Sequence, residues 1–278
     1  QITGTWPIRT TKKARSVARG TNALASAVVL VARQRSTSAA MATRKEFASV
    51  LRKELPAAFA ALTQAGIAPV DLAQAAIGPG MAIYSRYSKV IEADGSPMSV
   101  RTALQIINQE LDAHLAAQEG ELDRDTSWAV AWLEKHGMNE GEIGVAESLS
   151  RAKNTEVNGL VEAGLITARA GKVRLIPRDQ MPDDWDPATD KRPTIWEATQ
   201  QLIRALDQHG ESGAAALLKR LGGYGDAARD LAYRLFSICE KKNWSSEALA
   251  YNSIVLAWPE LTRLAQAETR GDQRTLFE

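Results

Sequence analysis

Cysteine occurs once in this sequence, at Cys239. A single thiol excludes a disulfide framework and fits a reducing compartment, so a cytoplasmic location is expected. Histidine is scarce too, and three scattered His with one Cys leave too few ligands for a structural zinc site; no metal ligand is expected. No apolar run reaches the roughly 18 residues of a membrane span, so no membrane partner is expected. An initiator Met and a signal peptide are both missing from the start. The chain is therefore expected to be the C-terminal part of a longer protein, opening in the middle of a domain. Supported nucleophile–base pairs are missing as well. Ser148, His114 and Asp112 sit in no recognisable motif. The glycine pairs Gly78 with Gly80 and Gly222 with Gly223 lack the strand-to-helix setting of a phosphate loop. No catalytic residue is expected. Acid is nearly absent from one end. Through Lys53 there are eleven basic residues and one acid, Glu46, which gives about +10 there and leaves about −9 for the rest of a chain whose total is +1. A basic end of this kind suits a polyanion.

What is present begins with two strand-like stretches. Ile2, Thr5, Trp6, Ile8 and Thr10 suit a pleated surface, and so does the run Ala27-Val28-Val29-Leu30-Val31. The second stretch is apolar on both faces, as a strand inside a covered sheet would be. Between the two lie Lys12, Lys13, Arg15 and Arg19, with Arg9 just before them. Two strands alone are marginal in water and need a larger sheet or a helix to pack on.

Helical spacing dominates the remainder. Phe47, Leu51, Leu55, Phe59 and Leu62 share one face of a helix over 43–64, in which Pro56 is expected to cause a kink or a restart. A second helix is expected from Pro69 to just before Gly78-Pro79-Gly80. A third, carrying Ile83, Tyr84, Tyr87, Val90 and Ile91, is expected over 81–92. Ser96-Pro97 suits a helix start, followed by the stripe Val100, Leu104, Ile107, Leu111 and Leu115. Trp128 and Trp132 lie one turn apart on a helix over 125–136, and core packing accounts for them better than binding does. After the polar loop 178–193, four helices are expected over 194–209, 213–221, 226–242 and 245–266, with Thr194 and Glu197 in a capping-box pattern. That loop reads as solvated and anchored by Trp185, Cys239 as a core thiol, and 268–278 as a frayed tail.

Residues 138–177 read as a winged helix-turn-helix. The first helix is expected over 145–153. The second is expected over 155–163, capped by Asn154 and ended by Gly164, with Val157, Leu160 and Val161 inward. Strands over 165–169 and 172–176 would flank Ala170-Gly171, and they bring Arg169, Lys172 and Arg174 onto the hairpin. Such a second helix commonly enters a major groove. This one carries Glu156 and Glu162, which favours a structural or protein-contact role.

The strings GTWPIRT and RGTNALASAVVLVARQR resemble the closing hairpin of large adenine-specific DNA methylases of the zinc-ribbon type, which occur in some anti-phage cassettes. The likeness continues through DLAQAAIGPGMAIYSRY, EADGSPMSVRTAL, RAKNTEVNGLVEAGLI and DWDPATDKRPTIWEATQ, nearly the whole chain. It implies a parent enzyme that methylates the adenine amino group with S-adenosylmethionine. Neither the Asn/Asp-Pro-Pro-aromatic tetrapeptide nor the FxG-type cofactor motif of that family is present, so no cofactor is expected in this segment. The resulting expectation is a mainly α chain: residues 1–35 as the last hairpin of a methyltransferase-type α/β sheet, a helical domain over 41–136, a winged-helix-like unit over 138–177 and a helical bundle over 194–267. Its function would be to hold DNA, to dock partners, or both. The DNA-contacting candidates are Arg9, Lys12, Lys13, Arg15, Arg19, Arg169, Lys172 and Arg174. A solvated basic loop accounts for the first group equally well. Expected partners are DNA, an upstream methyltransferase domain and other defence proteins. The alternative is a helical scaffold with no DNA role of its own.

Overall fold

The computed structural model describes residues 1–9, 26–117 and 122–275. The chain is mainly helical with small sheets. It divides into two compact units, Gln1–Gln118 and Glu119–Glu278.

In the first unit, β1 (Ile2–Arg9) pairs antiparallel with β2 (Ser26–Ala32), Trp6 opposite Val29. The ribbon packs on α2 (Pro69–Tyr84), which lies with α1 (Arg44–Gln64) and α3 (Val100–Ala117). Thr43 and Glu46 form a reciprocal capping box at the start of α1, and Phe47, Leu51, Leu55 and Phe59 form its buried stripe. Pro56 falls inside α1, which runs on as one helix.

Two expectations fail next. α2 does not stop before Gly78-Pro79-Gly80 but continues through it to Tyr84. The reason is packing: a Cβ on Gly80 would lie 2.5 Å from the Ile107 side chain, so the glycine lets α3 approach closely. The helix expected over 81–92 ends at Tyr84 instead. Val90–Ile91 form β4, a short parallel partner for β3 (Ala42–Thr43), and Met98 N donates to the Val90 carbonyl at 2.7 Å. Tertiary pairing overrides the helical spacing there. Further on, Ser99 rather than Ser96 bonds the first turn of α3, through Thr102 N at 3.1 Å. Ile107, Leu111 and Leu115 are buried as the stripe requires, whereas Val100 is exposed.

The second unit opens with α4 (Arg124–His136), expected as part of a helical domain over 41–136. β5 (Gly141–Glu142), α5 (Ile143–Ala152), α6 (Val157–Glu162), β6 (Ile166–Arg169) and β7 (Lys172–Leu175) follow. The strands form one antiparallel sheet in the order β5-β7-β6. Asn154 does not cap α6; it adopts the left-handed conformation at φ 54, and the helix begins after Glu156. Val161, expected inward, is 41 % exposed, leaving Leu160 as the buried residue of this short helix.

The bundle is α7 (Ile195–Leu221), broken at Gly210 with φ 66, then α8 (Gly223–Lys242) and α9 (Ser245–Thr275). Thr194 caps α7 through Glu197 N at 3.1 Å. The backbone of α9 stays helical to Thr275, beyond the expected frayed point. Cys239 is buried, and burial pushes its thiol up to about 12, so it is an unreactive core group.

Candidate nucleic-acid interface

The small sheet of the second unit has two chemically distinct faces. Ile166, Val173 and Leu175 are almost wholly buried. Alternation along a strand then puts the residues between them on the other side. The register pairs Arg169 with Lys172 and Thr167 with Arg174, so three of the candidate cations share the outer face of one hairpin. Ala170 at φ 48 and Gly171 at φ 77 make the two-residue turn, whose two positive φ values match a tight hairpin. Arg169 and Lys172 are exposed, and Arg174 is half-buried. β5 adds an acid to this face: Glu142 pairs in register with Lys172, and its carboxylate accepts from the Lys172 ammonium. Arg174 donates to Gln180 Oε1 at 3.1 Å. Arg169 makes no ion pair among the described residues.

Of the other candidates, Arg9 ends β1, and Lys12, Lys13, Arg15 and Arg19 lie outside the described residues. Part of the N-terminal charge is neutralised by acids further along the chain. Arg44 pairs with Glu92 at 3.1 Å and Arg52 with Glu110 at 3.1 Å. Arg35 spends its guanidinium on the Tyr87 carbonyl at 2.6 Å. A charge count along the sequence cannot see these pairings.

The hairpin is fixed from behind. Trp132, fully buried, stacks on Trp128 with centroids 5.0 Å apart and meets His136 at 4.3 Å. A Cβ on Gly141 would fall 2.8 Å from Trp132, so β5 can lie against the indole only because residue 141 is glycine. Burial lowers the His136 pKa, with Lys135 adding to the effect.

A polar node that sequence reasoning missed holds the turn before α6. Asp125, buried at the start of α4, takes Arg192 in a bidentate pair, Nε to Oδ2 at 2.5 Å and Nη2 to Oδ1 at 2.8 Å. Thr155 donates to the same carboxylate at 2.5 Å and accepts from Arg192 at 3.1 Å. Gly159 leaves room for the guanidinium, since a Cβ there would lie 2.5 Å from Arg192 Nη1. Two residues earlier, at the N-cap of α4, Asp123 serves two helices. It accepts from Thr126 N at 2.8 Å and from Ile195 N, at the start of α7, at 3.0 Å. Glu197 completes the cluster: burial pushes its carboxyl up to about 8, the Thr194 bonds oppose this, and Asp190 and Asp123 add to the rise.

The segment 178–193 is solvated along most of its length, as expected, and side-chain bonds also strap it to the bundle. Arg178 donates to Gln200 at 3.0 Å and to Glu247 at 2.7 Å. Arg204 reaches back to the Met181 carbonyl at 2.7 Å and also pairs with Asp183. Trp185 donates to Asp190 at 2.7 Å. A count of Asp residues in this segment does not reveal the arginines that bond the strap.

Residues 123–276 match the family model described as Domain of unknown function (DUF8807). The chain belongs to that family. The DUF8807 match begins at Asp123, the cap of α4, and spans the node, the hairpin, the strap and the bundle. The β1–β2 ribbon and its helices lie outside it. No curated protein and no solved structure matches the chain. Among the described residues no cluster of His, Cys, Asp or Glu could hold a metal ion, and no helix is long and apolar enough to cross a membrane.

Proposed function

We propose that this chain is the non-catalytic, DNA-holding C-terminal part of an adenine-specific DNA methyltransferase, acting in a restriction-modification or anti-phage system. The parent's chemistry comes from the sequence resemblance. The DNA-holding role is carried by one observation: Arg169, Lys172 and Arg174 share the outer face of one hairpin. The order helix, strand, helix, helix, hairpin supports a winged-helix reading of residues 124–175. In it the hairpin touches DNA, while α6, which has no cation and is flanked by Glu156, does not enter the groove. Methylating a base requires taking it out of the stack, so the duplex must be gripped firmly, and Lys and Arg on phosphates supply most of that grip. The exposed run Val29, Leu30 and Val31 on β2, 37–52 % accessible, supports a ribbon that completes an upstream methyltransferase sheet. Lys12, Lys13, Arg15 and Arg19 are the second phosphate contact in this reading.

A scaffold that recruits other defence proteins is favoured by a different observation, the exposure of Val161 on the cation-free α6. The two readings separate by titrating this chain with mixed-sequence duplex DNA at several salt concentrations. Replacing Lys12, Lys13 and Arg15 with Ala should reduce the salt slope of log affinity by roughly 0.9 per lost contact. The weakening should be uniform across sequences, because phosphate contacts do not read bases. Salt-independent or absent DNA binding, with partner capture intact, would assign the chain to the scaffold class.

A further inference from the structure

On the outer face of the β5-β7-β6 sheet, Glu142, Lys172 and Arg169 form one row across the three strands, since Lys172 is the register partner of both the others. Two like charges placed directly opposite on neighbouring strands repel. Here Arg169 and Lys172 are such a pair, and Glu142 relieves the repulsion by taking the Lys172 ammonium. Both side chains of that ion pair are substantially exposed, 47 % for Lys172 and 67 % for Glu142, so the contact breaks at little cost. Glu142 also stands as the N-cap residue of α5 without using its side chain to cap it, so the carboxylate has no second structural task at that helix end.

We infer that Glu142 is a competitor for the phosphate site of the hairpin: it occupies Lys172 in the free protein and yields it to the duplex backbone on binding. The inference rests on the reading that this hairpin contacts DNA. The ligand class is the phosphodiester of duplex DNA, seated between the Lys172 ammonium and the Arg169 guanidinium, with the ammonium swinging from one anionic oxygen to another. Removing the internal anion should do two opposite things at once. It should leave the Arg169–Lys172 repulsion uncompensated in the free protein, lowering its stability slightly. It should also free Lys172 for phosphate and strengthen DNA binding. A merely structural ion pair would weaken both.

The experiment measures Kd for a mixed-sequence duplex by fluorescence anisotropy, at several salt concentrations, with the full chain and the variants Glu142→Gln, Lys172→Ala and the double variant. Glu142→Gln should tighten binding about two- to fivefold at low salt, the range equivalent to one exposed ion pair. In the Lys172→Ala background the same substitution should change nothing beyond the loss of one acid's general repulsion, a clearly smaller effect. Lys172→Ala alone should weaken binding and reduce the salt slope by roughly 0.9. Unchanged or weaker binding by Glu142→Gln, while Lys172→Ala still weakens it, would overturn the competition and leave the hairpin as the DNA site. If the full chain binds duplex but Lys172→Ala and Arg169→Ala are both indifferent, or if it does not bind duplex at all, the hairpin reading itself falls, and the competition with it.

Discussion

The two faces of the three-stranded sheet use the same backbone for opposite ends. The inner face is dry: Ile166, Val173 and Leu175 are at most 1 % exposed, and Trp132 closes against Gly141 behind it. The outer face carries only ionic and polar side chains. Arginine is used in two ways in this unit. Arg192 is locked by two bonds to a buried carboxylate and a third to Thr155, so removing Arg192 would leave the Asp125 charge buried without its ion-pair partner. Arg169 is exposed and makes no ion pair among the described residues, so its removal would leave no buried charge without a partner. A cation with a buried partner is structural; a cation on an exposed sheet face without one is available to a ligand. The division is sharpened or broken by substitutions that move from the inner face outward.

The largest effect belongs to the inner face. Trp132→Ala removes a wholly buried indole stacked between Trp128 and His136. The expected loss is about 3–5 kcal/mol, read as a lower midpoint in chemical denaturation. A midpoint that did not move would mean that the sheet does not depend on α4 for support. Asp125→Ala comes next. Breaking a buried pair costs about 3–5 kcal/mol, but the Arg192 side chain is 42 % exposed and keeps part of its hydration, so about 2–3 kcal/mol is expected here. Local hydrogen exchange at 153–160 should rise with it, since Thr155 and the α6 turn lose their anchor.

How much of this was legible in the sequence follows the same divide. The hairpin was, because alternating Ile166, Val173 and Leu175 around Ala170-Gly171 encode both the strands and their outward cations. The Thr194–Glu197 cap was legible too, as a local pattern of four residues. The node was not: Asp125 and Arg192 are far apart in the chain, and neither has a local signature. Gly78-Pro79-Gly80 misled for a related reason. Its residues break isolated helices, yet the approach of α3 at Ile107 makes the glycine the residue that fits. Val90 and Ile91 had helical spacing and became a strand, because β3 offered a pairing edge that spacing alone cannot reveal.

Glu197 gives a test by pH. Its folded pKa of about 8 lies above the 4.5 of an ordinary glutamate, so the native state holds a proton that the unfolded state releases. The stability linked to this group is fully present below pH 4.5 and is lost progressively as pH rises toward about 8. Glu197→Gln keeps an acceptor for the Thr194 hydroxyl and cannot ionise. The decline in denaturation midpoint across that window should flatten in the variant. An identical slope in both proteins would assign the pH dependence elsewhere and show that Glu197 is ionised in the folded state.

Arg169→Ala should have the smallest effect on the folded protein and is the most informative for the comparison. The side chain is exposed and sits opposite Lys172, so its loss removes a repulsion as well as a little packing. Stability should stay within about 0.5 kcal/mol of the parent, as for surface positions in general. Duplex binding should nonetheless weaken, with the salt slope reduced by roughly 0.9 and no change in preference among sequences. The two readouts must come apart for the outer face to be a ligand site. A loss of stability equal to the loss of binding would put Arg169 in the same class as Arg192, as part of the scaffold. Binding that is unchanged at every salt concentration would leave the hairpin's charge as solvation alone, and the polyanion contact would then have to be sought at Lys12, Lys13, Arg15 and Arg19.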